Sequence, residues 1–202
     1  MSTELYFIYD SHCPWSYATT AIVAKIKATF PKINLQLLNS AYYDGQSAID
    51  SSTIESVKEL TSAEFSASYL NTLDETKDST LCSNLLTWVQ NKAPHCAFEL
   101  LLAIQHQHFV LANNCTHRQE IETIINELKL SPPAKCMQNE RLTKDAEFVV
   151  HEITALQELI GTTAIPALLL AVGDNLILLN HNLYLEQPEH IVMAIEQELS
   201  KQ

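Results

Sequence analysis

Glycine is the scarcest informative residue, at 3 of 202. No G-x-G-x-x-G turn and no Walker loop can be written with Gly45, Gly161 and Gly173, so two common phosphate-cradling devices are excluded. Collagen-like repeats, Gly-rich linkers and a sandwich built on many Gly-rich turns are excluded with them. Positive charge is also short: 12 Lys and Arg stand against 24 Asp and Glu, a formal net charge of −12. Such a chain repels nucleic-acid backbones and anionic membranes, so neither is expected as a partner. Long apolar runs are missing. The most apolar stretch, Ile165 to Val172, is too short to span a bilayer. The start, Met1-Ser2-Thr3-Glu4-Leu5, has no basic segment followed by an apolar one, and the expectation is a cytoplasmic protein. Finally, no C-x-x-C occurs among Cys13, Cys82, Cys96, Cys115 and Cys136, an odd and widely spaced set expected to be free thiols.

Hydrophobic residues make up 47% and charged residues 18%, enough for a packed core. Glu4 to Asp10 is aromatic and β-branched and reads as a buried strand. Ser11-His12-Cys13-Pro14 breaks it, with Pro14 well placed as a first helical residue. Ala18, Ile22, Ile26 and Phe30 then recur at helical spacing until Pro31. Ile33 to Leu38 is a second strand, and the βαβ unit implies a parallel pair. From about 51 to 160 strand patterns disappear, and apolar faces such as Cys96, Ala97, Leu100, Leu101 and Ile104 predict a bundle of about four to six helices. Gly161 suits a C-cap, Ala167 to Val172 a third strand, Gly173-Asp174-Asn175 a tight turn and Leu176 to Leu179 a fourth strand. Pro188 opens a last helix with Ile191, Val192, Ile195 and Leu199 on its buried face. The order is βαβ, helical insert, ββα.

One residue in this pattern carries chemistry. Cys13 directly precedes a helix, where unpaired backbone N–H groups and the positive end of the helix dipole favour thiolate over thiol. A thiolate is the nucleophilic form, and a cysteine so placed often has a lowered pKa. The neighbouring His12 either adds positive charge or a hydrogen bond, or points to solvent. Asp10 ends the first strand and serves either as a proton carrier for Cys13 or as a cap for the turn. Trp15 and Tyr17 flank the cysteine, and Tyr42 and Tyr43 follow strand two towards the same cleft. His95-Cys96 and His106-Gln107-His108 do not make a metal site, because His106 and His108 face different sides of a helix and Cys96 belongs to an apolar face.

The element order resembles the thioredoxin fold, and the helical insert resembles that of its DsbA-like branch. Two local marks carry the resemblance. His12-Cys13-Pro14-Trp15-Ser16-Tyr17 is similar to the C-P-W-C-Y active turn of FrnE-type cytoplasmic members, and Thr163-Ala164-Ile165-Pro166 sits where that family has its cis-proline loop. The fold class implied is α/β, a thioredoxin-like domain formed by 1–50 and 161–202 with an all-helical domain inserted at 51–160. Taken alone, an Ile–Pro bond is expected trans; the resemblance implies a cis Ile165–Pro166 bond, with the Ile165 backbone open to an extended substrate or to glutathione.

The departure from the family is Ser16, which stands where the second cysteine would be. A serine can hydrogen-bond the Cys13 thiolate but cannot resolve a mixed disulfide. The resemblance therefore implies a monothiol thiol–disulfide oxidoreductase or isomerase. Cys13 and Ser16 are its catalytic residues, and His12, Pro14, Trp15, Ala164, Ile165 and Pro166 line the substrate. No tightly bound cofactor is implied. Glutathione is the expected co-substrate, and a disulfide-containing protein or peptide the partner, with homodimerisation open. A second reading comes from the kappa glutathione transferases and 2-hydroxychromene-2-carboxylate isomerases, whose turn resembles S-P-Y-S; here glutathione would be held by Cys13 or Ser16. A third is a non-catalytic thioredoxin-like peptide binder.

Overall fold

The computed structural model describes residues 3–201. Its main sheet contains β1 (Thr3–Tyr9), β2 (Asn34–Asn39), β5 (Ala167–Val172) and β6 (Asn175–Leu179) in the order β2-β1-β5-β6. β1 runs parallel to β2 and antiparallel to β5, and β5 pairs antiparallel with β6. The central strands are buried on both faces, which is why they read as unbroken apolar runs: Phe7, Ile8, Leu168, Leu169 and Leu170 are all fully buried. Each such side chain contributes roughly 1.5–3 kcal/mol by leaving water.

Helix α1 (Pro14–Thr29) returns the chain from β1 to β2, with Pro14 in its first turn and Ala18, Ile22, Val23 and Ile26 buried. The central region supplies α2 (Ser51–Leu60), α3 (Ala67–Leu70), α4 (Thr80–Lys92), α5 (Pro94–Gln105), α6 (Arg118–Glu127) and α7 (Lys144–Ile160). Helix α8 (Ile191–Ser200) closes the chain, preceded by a 3-10 turn at Pro188–His190. This is an α/β thioredoxin-like architecture carrying a large helical insertion. One hydrophobic core joins the sheet and α1 to α4, α5 and α6 through Leu85, Leu100, Leu101 and Ile121.

Two features were absent from the sequence expectation. A small antiparallel ribbon pairs β3 (Asp44–Ser47) with β4 (Lys77–Asp78) inside the stretch read as purely helical. A two-residue strand is too short to show a period. Helix α5 also runs on into a π turn, His106–Val110. Such turns shift the side chains that follow by a fraction of a turn and are frequent at functional sites.

Candidate functional site

The turn after β1 is organised by Asp10, whose side chain is fully buried. One carboxylate oxygen accepts the His12 backbone N–H at 2.8 Å; the other accepts the Ser79 hydroxyl at 2.7 Å and the Tyr43 N–H at 3.2 Å. Of the two roles open to Asp10, the cap is the one its hydrogen bonds support. It joins the β1 turn to the segment after β2 and to the start of α4.

Cys13 is the N-cap residue of α1, with extended backbone. Its carbonyl accepts the Tyr17 N–H at 2.9 Å and its own N–H donates to the Asp10 carbonyl at 3.2 Å. Ser16 Oγ accepts the Asp10 N–H at 3.2 Å, which leaves its own O–H available as a donor. The lowered thiol pKa expected from the helix start is corrected by the structure. Burial pushes the Cys13 thiol above its ordinary value, and the Asp10 charge adds to the rise. The Ser16 hydroxyl and the Ser16 and Trp15 backbone N–H groups pull it down, but not far enough to reverse the sign. A helix dipole reaches its terminus, but it does not repay the removal of water.

The His12 ring does not point to solvent, one of the two orientations left open for it: it is fully buried. Nε2 donates to the Asn114 carbonyl at 2.8 Å, so in the neutral ring Nδ1 accepts from the Ser11 hydroxyl at 3.0 Å. Burial holds the imidazole below its ordinary pKa, so it brings no positive charge to Cys13 at neutral pH. Pro14, also expected at the substrate face, is buried in the first turn of α1.

Trp15, Ala164, Ile165 and Pro166 do come together. They line a cavity of about 400 Å³ with Leu60, His181, Asn182 and Leu185. The Ile165–Pro166 bond is cis. The Ala164 N–H is taken locally by the Thr162 hydroxyl, while the Ile165 backbone has no hydrogen-bond partner among the described residues. Thr163 faces elsewhere, its carbonyl accepting the Gln157 side-chain amide at 3.0 Å. Ile165 also packs against the cluster that contains Cys13, which is 6% exposed.

That cluster is where sequence reasoning fell short. It holds Cys13, Tyr43, Ile49, Ile54, Tyr69 and Phe109, with Trp15, Tyr17 and Phe65 at its edge. Tyr43 is buried there while Tyr42 is exposed. Tyr17 stacks on Phe109 at 4.5 Å, and His108 sits 4.0 Å from the His12 ring. Tyr69 and Phe109 come from weakly patterned parts of the insert, and only their aromatic character could have flagged them. The other thiols are free; Cys82, Cys115 and Cys136 are buried and Cys96 is partly exposed. Cys82 Sγ donates to the Cys115 carbonyl at 3.4 Å. His106 is exposed while His108 is buried, and no group of three or more His, Cys, Asp or Glu among the described residues is arranged to hold a metal.

The fold and this site together define a thioredoxin-like fold with a single cysteine at the turn from β1 into α1. Comparison with known proteins places the fold in the same company. The cytosolic disulfide reductase DsbM from Pseudomonas aeruginosa superposes with a TM-score of 0.83 at 18% identity, over 98% of this chain and 100% of that one. The same reductase with GSH superposes at 0.79 and 17% identity, over 98% and 99%. A 2-hydroxychromene-2-carboxylate isomerase superposes at 0.59 and 11% identity, over 98% and 96%. No family model and no curated protein matches the sequence. Among the described residues, no helix is long and apolar enough to cross a membrane.

Proposed function

We propose that this chain is a cytoplasmic thiol–disulfide oxidoreductase working as a monothiol through Cys13, with glutathione as resolving thiol and a disulfide-containing protein or peptide as substrate. The observation that carries the reading is Cys13 at the N-cap of α1, in the buried cluster against which Ile165 of the cis-proline loop packs, with the Ser16 hydroxyl and the Ser16 and Trp15 N–H groups favouring its thiolate. The likeness to a disulfide reductase that was also solved with GSH supports it. Trp15, Ala164, Ile165 and Pro166 form the substrate wall, and the Ile165 backbone, without a hydrogen-bond partner among the described residues, suits an extended chain. The units read from the sequence, 1–50 with 161–202 and the insert at 51–160, belong to this proposal, the insert covering the thiol and selecting the substrate.

The thiolate of Cys13 attacks one sulfur of a disulfide. A new S–S bond forms, the old one breaks, and the other sulfur leaves as a thiolate that takes a proton from water. Glutathione thiolate then attacks the mixed disulfide at the substrate sulfur. Cys13 leaves as thiolate, and the substrate half departs joined to glutathione. Ser16 cannot perform this second attack. The test is intact mass spectrometry after incubation with oxidised glutathione. One glutathione per chain, lost in Cys13→Ser, is the expected result; no adduct, or an adduct elsewhere, refutes the reading.

A second reading is favoured by one observation: burial raises the Cys13 thiol, which suits a residue that donates a hydrogen bond to a bound glutathione thiolate. The site would then be a glutathione-dependent transferase or isomerase, the activity class named for the isomerase of the same fold. Calorimetry with an S-alkyl glutathione separates the two. Binding that survives Cys13→Ser favours the second.

A further inference from the structure

The buried aromatic cluster over Cys13 contains a hydroxyl that the fold leaves without a role. Tyr69 is 1% exposed, and its Oη has no hydrogen-bond partner among the described residues. A buried, unpaired hydroxyl costs about 1–3 kcal/mol, so a fold that keeps one needs a reason. The ring is held from all sides: His108 at 5.2 Å, Phe109 at 5.1 Å, Phe65 at 5.8 Å, and the Lys77 ammonium 5.6 Å from its centroid. Lys77 is itself buried, and donates to the Thr72 carbonyl at 2.6 Å and to its hydroxyl at 3.3 Å. Thr72 in turn donates its N–H and hydroxyl to the Tyr69 carbonyl, both at 2.9 Å. So β4 and the end of α3 position one phenol, in the cluster that contains Cys13.

We propose that the Tyr69 hydroxyl is a hydrogen-bond donor reserved for the Cys13 thiolate, with Lys77 and Thr72 as positioning residues. While Cys13 is a thiol the phenol has no strong acceptor. When the sulfur gains charge the phenol turns its O–H to it and keeps its proton. A donor held in place for a charge that appears only during reaction stabilises that charge without reorganisation. The ionisable groups that feel the Cys13 charge are Asp10 on the turn, Tyr43 after β2 and Tyr69 on α3; Tyr17 packs at the edge of the same cluster, and His12, Lys77, Asp78 and His108 interact with one another behind it. Tyr43 and Tyr69 are both held protonated by burial and by the Cys13 charge. The two histidines are held neutral by burial. The phenols are therefore donors throughout the range in which Cys13 titrates.

The proposal rests on Cys13 as the reacting thiol, and its test does not use the reaction. Full-length protein carrying ¹³Cβ-cysteine is titrated by NMR, with Cys13→Ser assigning the resonance. In Tyr69→Phe the Cys13 midpoint is expected to rise by roughly one pH unit, the loss of one charge-assisted hydrogen bond. The melting temperature should hold or rise, because an unpaired buried hydroxyl is removed. Fluorotyrosine at position 69, a stronger donor, should lower the midpoint; it serves where Tyr69→Phe does not fold. An unchanged midpoint, or a shift in Tyr43→Phe in place of Tyr69→Phe, overturns the proposal. A glutathione adduct with an unchanged midpoint refutes this inference alone. A shifted midpoint without an adduct refutes the proposed function and leaves Tyr69 as the donor.

Discussion

Asp10 and Ser16 act on Cys13 in opposite directions, and each effect can be measured. Asp10 holds three donors from separate parts of the chain, and its charge disfavours the Cys13 thiolate. Asp10→Asn should therefore do two things at once. It should lower the Cys13 midpoint by roughly one pH unit and destabilise the fold by about 2–4 kcal/mol, since an amide cannot satisfy three donors. Thiol titration and urea denaturation read these separately. Ser16→Ala removes a donor from the sulfur. The Cys13 midpoint should rise by roughly one unit, and adduct formation at neutral pH should slow about tenfold. Cys13, Trp15 and Ser16 were legible in the sequence because a Pro-led helix after a strand is a local pattern, whereas Ala164, Ile165 and Pro166 were named only through the family resemblance. Buried His12 was not legible: its two bonds, to Ser11 and to Asn114 across the fold, depend on chain packing.

Among elements, α7 shows how much a single terminal residue does. Thr143 Oγ1 accepts the Ala146 N–H at one end, and Gly161 takes the left-handed conformation, φ 70°, at the other. A Cβ at Gly161 would meet nothing within 4 Å. Gly161→Ala should therefore cost only the backbone strain, about 1–2 kcal/mol, with Cys13 chemistry unchanged. Chemical denaturation together with the adduct assay checks both halves. The π turn at His106–Val110 is the element that periodicity could not show. It places His108 and Phe109 inward while His106 stays at the surface. The resulting His12–His108 contact brings β1's turn against the insert.

For the whole molecule, the buried histidine pair predicts acid sensitivity. Burial lowers the pKa of both His12 and His108 below the ordinary 6.5, and the His12 charge adds to the lowering at His108. The unfolded chain thus binds more protons than the native one between the native and ordinary values. Stability is complete above about pH 6.5 and is lost as the pH falls through that window. Melting curves from pH 7.5 to 5 should show this fall, and His108→Phe should flatten it. A slope that does not change in the variant would place the acid response elsewhere.

The sequence by itself determined the thioredoxin-like order of elements, the helical middle and the single cysteine at a helix start, because strand runs, helical spacing and proline stops are local properties. Even the three glycines were informative: Gly161 ends α7, Gly173 turns between β5 and β6 and Gly45 lies in β3, all three at positive φ. The electrostatic state of Cys13 is set by packing instead. Beside its chain neighbour Asp10, its environment is made by Tyr43, Tyr69 and the loop at Ile165, which lie far apart in the chain and meet in one buried cluster. Desolvation depends on what covers a group, and no local pattern carries that information.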